Sequence, residues 1–179
     1  ASSLKKYGLL IPFLLTSILG SGQTHPKFSS GNEKYKNGQF QEAEKHYKEG
    51  LKEQDNPAAR YNLGNSQYKT DQLEDAIRSY EQAKSALTTF GQQYKLHHNL
   101  GNAYFKSGKI KEAIESYKQA LRIRPGSKET AINLAKAKQQ LAKQKQQQNQ
   151  EKSKDKSSPT ENKEDKKSSE ERTNQDKKE

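Results

Sequence analysis

Cysteine is absent from the 179 residues, which excludes disulfides, thiolate nucleophiles, Cys-based zinc sites and an N-terminal lipoprotein anchor. Apolar residues are scarce: 28% of the chain is hydrophobic against 31% charged, too lean for a core that spans the whole length. No Gly-rich phosphate loop is present, and no Ser or Thr stands in a strained Gly-x-Ser-x-Gly turn. The four histidines, His25, His46, His97 and His98, nowhere sit three or four apart on a helix with a carboxylate to complete a metal set. With no catalytic constellation, metal set or cofactor motif, the chain reads as non-enzymatic, with no small-molecule substrate.

Charge of one sign is not concentrated either. The net charge of +11 invites a nucleic-acid reading, but it is diffuse. Residues 24–134 hold 18 basic and 13 acidic side chains, and 151–179 balance at 9 against 9. A phosphate-tracking surface shows a concentrated Lys/Arg stripe, whereas here Asp and Glu are interspersed. No nucleic-acid partner is expected, and a polyanion or nucleic-acid binder stands as an alternative.

What is present has a clear order. Lys5 and Lys6 precede an apolar run from Leu9 to Leu19, followed by Gly20, Ser21 and Gly22. That layout predicts a secretory signal peptide over 1–22 and an exported protein, periplasmic or membrane-associated at the cell envelope. The run is short for a membrane span and Pro12 interrupts it, so an uncleaved anchor is the weaker alternative. Apolar residues then recur with helical spacing between Phe28 and Leu141. From about Gln144 to Glu179, Ser, Lys, Glu, Asp, Asn and Gln dominate, and a disordered polar tail is expected over 144–179.

Three segments in the middle repeat. Gly31-Asn32, Gly64-Asn65 and Gly101-Asn102 each stand twelve residues before an Ala (Ala43, Ala76, Ala113) and sixteen before a Tyr (Tyr47, Tyr80, Tyr117). The glycines are 33 and 37 residues apart, so the second unit carries an insertion, expected in 85–93 as a longer second helix or following turn. Ala113, Tyr117, Ala120 and Leu121 mark one helix face, while Gly38, Thr70-Asp71 and Gly108 divide each unit in two. Gly inside a helix costs about 1 kcal/mol relative to Ala, which close packing against a neighbouring helix would offset. After Pro125, Ala131-Ile132-Asn133-Leu134-Ala135 echoes the start of a unit and predicts a capping helix.

A period near 34 residues with Leu-Gly, an aromatic, Ala, Tyr and then Pro resembles the tetratricopeptide repeat (TPR). Leu100, Gly101, Tyr104, Ala113, Tyr117, Ala120 and Pro125 all fall on the family pattern. The first unit departs from it at Ser30, Lys34 and Gly50. The resemblance implies an all-α right-handed superhelix of three helix-turn-helix repeats, at about 24–56, 57–93 and 94–127, capped by a helix over 128–143. More narrowly, the order of leader, repeats and Gln-rich then Lys/Asp/Glu-rich tail resembles BatC-type TPR proteins of bacterial aerotolerance operons. That likeness implies von Willebrand factor A-type envelope proteins as partners.

In this family the first helix of each repeat lines a concave groove, and the residues there form rows. Asn32, Asn65 and Asn102 make one; Tyr35, Tyr68 and Phe105 another; Lys36, Lys69 and Lys106 a third; Asn62, Asn99 and Asn133 a fourth. An Asn amide both donates and accepts, so such a row can bond the backbone of an extended, acidic peptide met by the Lys row. The same rows suit a generic scaffold, or a spacer using its convex face and tail. Some relatives clamp the terminal carboxylate of a chaperone tail. Asn32, Asn62 and Lys95 match that pattern, but Phe28 and Asn99 stand where it has Lys and Arg.

Overall fold

The computed structural model describes residues 25–155, so the leader at 1–22 and the chain beyond Asp155 lie outside the described residues. Seven helices follow one another: α1 Pro26–Lys36, α2 Phe40–Glu53, α3 Pro57–Lys69, α4 Leu73–Lys84, α5 Phe90–Lys106, α6 Ile110–Ile123 and α7 Lys128–Asp155. Among the described residues there is no strand, and the architecture is the expected all-α array. α1 pairs with α2, α3 with α4 and α5 with α6; each pair stacks on the next, and α7 packs on α6.

Local chemistry sets the helix ends. The Asn56 side chain caps α3 by accepting from the Ala59 N–H at 2.9 Å, and Pro57 sits in the first turn, where its missing N–H does no harm. Thr89 and Gln92 form a reciprocal capping box on α5. The turn within each pair is one conformation used three times. Gly38, Asp71 and Gly108 adopt positive φ of 76°, 64° and 81°. The following amides of Gln39, Gln72 and Lys109 return to the carbonyls of Lys34, Gln67 and Tyr104, each at 2.9 Å. The division at Gly38, Thr70-Asp71 and Gly108 is therefore as expected.

The repeated Gly, Ala and Tyr are parts of one packing device. Ala43, Ala76 and Ala113 are fully buried, and Tyr47, Tyr80 and Tyr117 are 2% exposed or less. Each tyrosine ring lies flat on the preceding helix at the repeated glycine. A Cβ there would come within 2.7 Å of Tyr47 at Gly31, 2.7 Å of Tyr80 at Gly64 and 2.6 Å of Tyr117 at Gly101. Burying an aromatic of this size is worth about 2–3 kcal/mol, more than the helix penalty of the glycine that admits it. The irregular Gly50 of the first unit has the same origin: a Cβ there would meet the buried Phe28 ring at 2.5 Å.

Two expectations are corrected. The insertion lengthens neither α4, the second helix of its unit, nor chiefly the turn after it: α4 has 12 residues against 14 in α2 and α6. Instead α5 has 17 residues against 13 in α3, one extra turn at its N-terminus. Leu87 plugs the core beneath this overhang at 5% exposure, and the Thr89 cap starts the helix early. Helix α7 also passes the expected limit near 143 and runs to Asp155. Its Lys, Gln and Ala are strong helix formers, so the helix continues after the last packed residues, Leu141 and Gln144. No helix among the described residues is long and apolar enough to cross a membrane.

Candidate functional site

The first helices α1, α3, α5 and α7 stand side by side, and their free faces line a shared trough. One recess of about 260 Å³ is walled by Tyr35, Asn65, Tyr68, Lys69, Asn99 and Asn102, and Tyr80, His98 and Glu129 line it too. A second, of about 360 Å³, continues along Asn102, Phe105, Lys106, Asn133 and Lys136. The two share Tyr68 and Asn102 and so form one surface across the second and third units.

Within the trough the asparagine rows are wired to each other. The Tyr47 hydroxyl donates to Asn32 Oδ1 at 2.7 Å, and Asn62 Nδ2 from the next unit donates to the same oxygen at 3.0 Å. Tyr80 and Asn99 converge on Asn65 Oδ1 at 2.8 and 3.0 Å. Tyr117 and Asn133 do so on Asn102 Oδ1 at 2.8 and 3.1 Å. Each set ties one unit's second helix, its own first helix and the next first helix through one carbonyl oxygen. The spacing Gly-Asn…Tyr thus encodes a seat for the ring and an acceptor for its hydroxyl.

The rows therefore serve the scaffold as well as facing the trough. Asn62 and Asn99 spend their amide nitrogens on staples, and Asn99 adds a bond to the Tyr61 hydroxyl at 2.8 Å. Asn32, Asn65 and Asn102 have both lone pairs of Oδ1 occupied. Among the described residues, however, the Nδ2 groups of Asn32 and Asn102 have no hydrogen-bond partner, and that of Asn65 has the Tyr61 hydroxyl alone. What they turn to the trough is therefore donors alone. The tyrosines do more than pack, and burial makes their ionisation unfavourable: Tyr47 is pushed up to about 12, and Tyr80 and Tyr117 are raised further.

The lysine row is partly committed. Lys106 pairs with Asp71 at 2.7 Å and lies 5.4 Å over the Tyr68 ring. The hydrogen bond to Asp71 raises its pKa, so it stays cationic. Lys69 lies 6.0 Å over Phe40, while Lys36 and Lys95 are exposed. Tyr35 packs edge-on to Phe40 at 5.2 Å, and Tyr35, Tyr68 and Phe105 are half-buried, each with one edge on the core. Of the expected residues, Asn65, Tyr68, Lys69, Asn99, Asn102, Phe105 and Lys106 come together along the two recesses, with Tyr35 at one end. Asn32, Lys36, Asn62 and Lys95 line neither.

Residue-by-residue reading missed a second constellation, where α7 meets α5. His98 Nδ1 and Thr130 Oγ1 are 2.9 Å apart, and the Tyr94 hydroxyl lies 2.7 Å from Ser127 Oγ and 3.0 Å from Thr130 Oγ1. Arg124 stacks on Tyr94 at 4.6 Å. Ser127 beside Thr130 was the sequence signal, a hydroxyl pair at a helix start. With Thr130 wholly buried, the cluster is a clasp for α7.

Comparison with known proteins agrees with this architecture. Family models described as "Tetratricopeptide repeat" match residues 28–89 and 94–127. No curated protein matches the chain. Among solved structures, "First TPR of Spaghetti (RPAP3) bound to HSP90 peptide SRMEEVD" is 25% identical with a TM-score of 0.59, covering 65% of this chain and 90% of that one. The TPR2AB domain of yeast Sti1 in an HSP90 complex is 26% identical with a TM-score of 0.57, over 66% of this chain and 47% of that one. The second TPR domain of human RPAP3, in complex with the HSP70 peptide SGPTIEEVD, is 26% identical with a TM-score of 0.57, over 63% of this chain and 92% of that one.

Proposed function

The chain is a tetratricopeptide-repeat protein, and from that premise we propose that it is a non-catalytic adaptor whose trough holds an extended, acidic segment of a partner polypeptide within a cell-envelope assembly. The observation that carries the reading is the polarity of the trough. Asn65 and Asn102 present amide donors whose oxygens are already bonded, beside Lys69 and Lys106. A ligand that satisfies them must be rich in acceptors, backbone carbonyls and carboxylates, and Tyr68 and Phe105 offer area to its apolar residues. The solved relatives reported above hold peptides with paired glutamates, which agrees with that polarity.

A clamp for a chain-terminal carboxylate fits less well, because Phe28 is buried in the core and Asn99 is held in a staple. The acidic segment is therefore internal to its partner. Export rests on Lys5, Lys6 and the run Leu9 to Leu19, and a von Willebrand factor A-type partner on the likeness to aerotolerance-operon proteins.

Photo-crosslinking from Phe105 in the native host, followed by calorimetry with the captured partner's contact peptide, tests the function. Charge reversal at Lys69 and Lys106 should slow association and flatten or invert its salt dependence. Affinity that survives both reversals in a folded protein would refute the trough as the binding surface.

A further inference from the structure

Helix α7 is a first helix without its second. Its register follows from Asn133, which makes the same inter-unit bond to Asn102 that Asn62 makes to Asn32 and Asn99 to Asn65. In that register, the positions facing the preceding unit are buried in every case: Ala59, Leu96 and Thr130, then Ser66, Ala103 and Ala137. The positions that face a unit's own second helix diverge. Tyr61 lies 5.7 Å from Tyr80 and His98 6.2 Å from Tyr117, but their equivalent Ile132 is 55% exposed. Ala135, equivalent to the tyrosine-seating glycines, is exposed as well.

We propose that the outer face of α7, centred on Ile132 and Ala135, docks an amphipathic helix with acidic flanks from a partner protein, which completes a fourth repeat in trans. This surface adjoins the trough at Lys136, but the proposal does not depend on the trough's peptide-binding role. Charge selects the occupant. From Thr130 to Gln150 the sequence has no Asp or Glu, and Lys136 and Lys143 edge the face on one side, Lys138 and Lys145 on the other. A second copy of this chain would bring like charges together along both edges, whereas glutamates on a foreign helix would meet all four lysines.

The divergent positions also restrict which residue the occupant sets down. At the seating glycines a Cβ would stand within 2.7 Å of the tyrosine ring, so the Cβ of Ala135 bars a tyrosine at that depth. The asparagine that accepts the tyrosine hydroxyl is replaced by Lys136. An alanine or leucine over Ala135 and a carboxylate toward Lys136 fit both changes.

Because the chain has no cysteine, Ile132→Cys creates a unique thiol on this face. The test is disulfide trapping on the full-length variant in a buffer of reduced and oxidised glutathione, the latter being the oxidant, after its melting curve is shown to match the parent. The probe is a synthetic helical peptide of about 15 residues with a Leu/Ala stripe, one Cys in the stripe and Glu on both flanks, compared with a twin carrying Lys flanks. The proposal predicts trapping of the acidic peptide about tenfold faster or more than its twin. That preference should be lost in Lys138→Glu/Lys143→Glu, which leaves one Lys and one Glu on each edge, and be absent for a control thiol at Gln41 on α2. Equal rates for the two peptides would overturn it. So would disulfide dimers of the protein forming faster than peptide capture, since the face would then be a self-association surface.

Discussion

Replacing Asn65 by Ala probes the wiring of the array, because one oxygen there serves three helices. Asn65 Oδ1 takes the Tyr80 hydroxyl at 2.8 Å and the Asn99 amide at 3.0 Å. Tyr80 is 1% exposed, so its hydroxyl would be left buried and unpaired, whereas Asn99 keeps its bond to Tyr61. An orphaned buried donor costs about 1–3 kcal/mol, which places Asn65→Ala near 2 kcal/mol. At roughly 4 °C per kcal/mol for a domain of this size, Tm should fall by about 8 °C. Tyr80→Phe removes donor and demand together and should cost only about 1 kcal/mol. In a double-mutant cycle followed by urea unfolding, the pair should therefore couple by about 1 kcal/mol. A Tm within 2 °C of the parent for Asn65→Ala, or strictly additive costs, would refute the staple.

Other expectations rest on the same geometry. Gly64→Ala should gain about 1 kcal/mol on helix propensity, yet destabilise overall by about 2 kcal/mol, because its Cβ would meet the immobile Tyr80 ring at 2.7 Å; denaturant titration reads the sign. Tyr47, Tyr80 and Tyr117 have folded pKa values raised above the unfolded value near 10, so their contribution is complete below pH 10 and is lost as pH climbs toward and through the folded values. Absorbance of phenolate against pH should show their ionisation coinciding with loss of helix. Deleting Thr88, Thr89 and Phe90 removes the α5 capping box and should cost about 1–2 kcal/mol without abolishing cooperative unfolding. Thermal melts followed by circular dichroism check this.

The array was legible because its spacing is a packing rule. Gly-Asn, Ala at twelve and Tyr at sixteen recur wherever a ring must sit flat on a helix, and the turn signals at Gly38, Asp71 and Gly108 mark residues with positive φ. The insertion was visible as a change of period, but its placement was not. A four-residue addition near a helix start adds one turn to that helix without rotating the faces beyond it, and only the Thr89–Gln92 capping box betrays where. Helix α7 outran composition because Lys, Gln and Ala sustain a helix that has stopped packing, which hydrophobic periodicity does not register. At the trough, the row of residues was readable while the use of each atom was not. Asn65 faces the trough with its nitrogen and the array with its oxygen, a division that depends on Tyr80 and Asn99, 15 and 34 residues away.

That division of labour supplies the most direct test of the account. The side-chain amides of Asn32, Asn65 and Asn102 can be observed by nitrogen-15 NMR while the full chain is titrated with a Glu-rich extended peptide whose C-terminus is amidated. The account predicts that the Asn65 and Asn102 amide signals shift together with the Lys69 and Lys106 side chains, and that the Tyr80 and Tyr117 hydroxyl bonds persist. Shifts confined to α2, α4 and α6, with those amides unmoved at saturation, would contradict it.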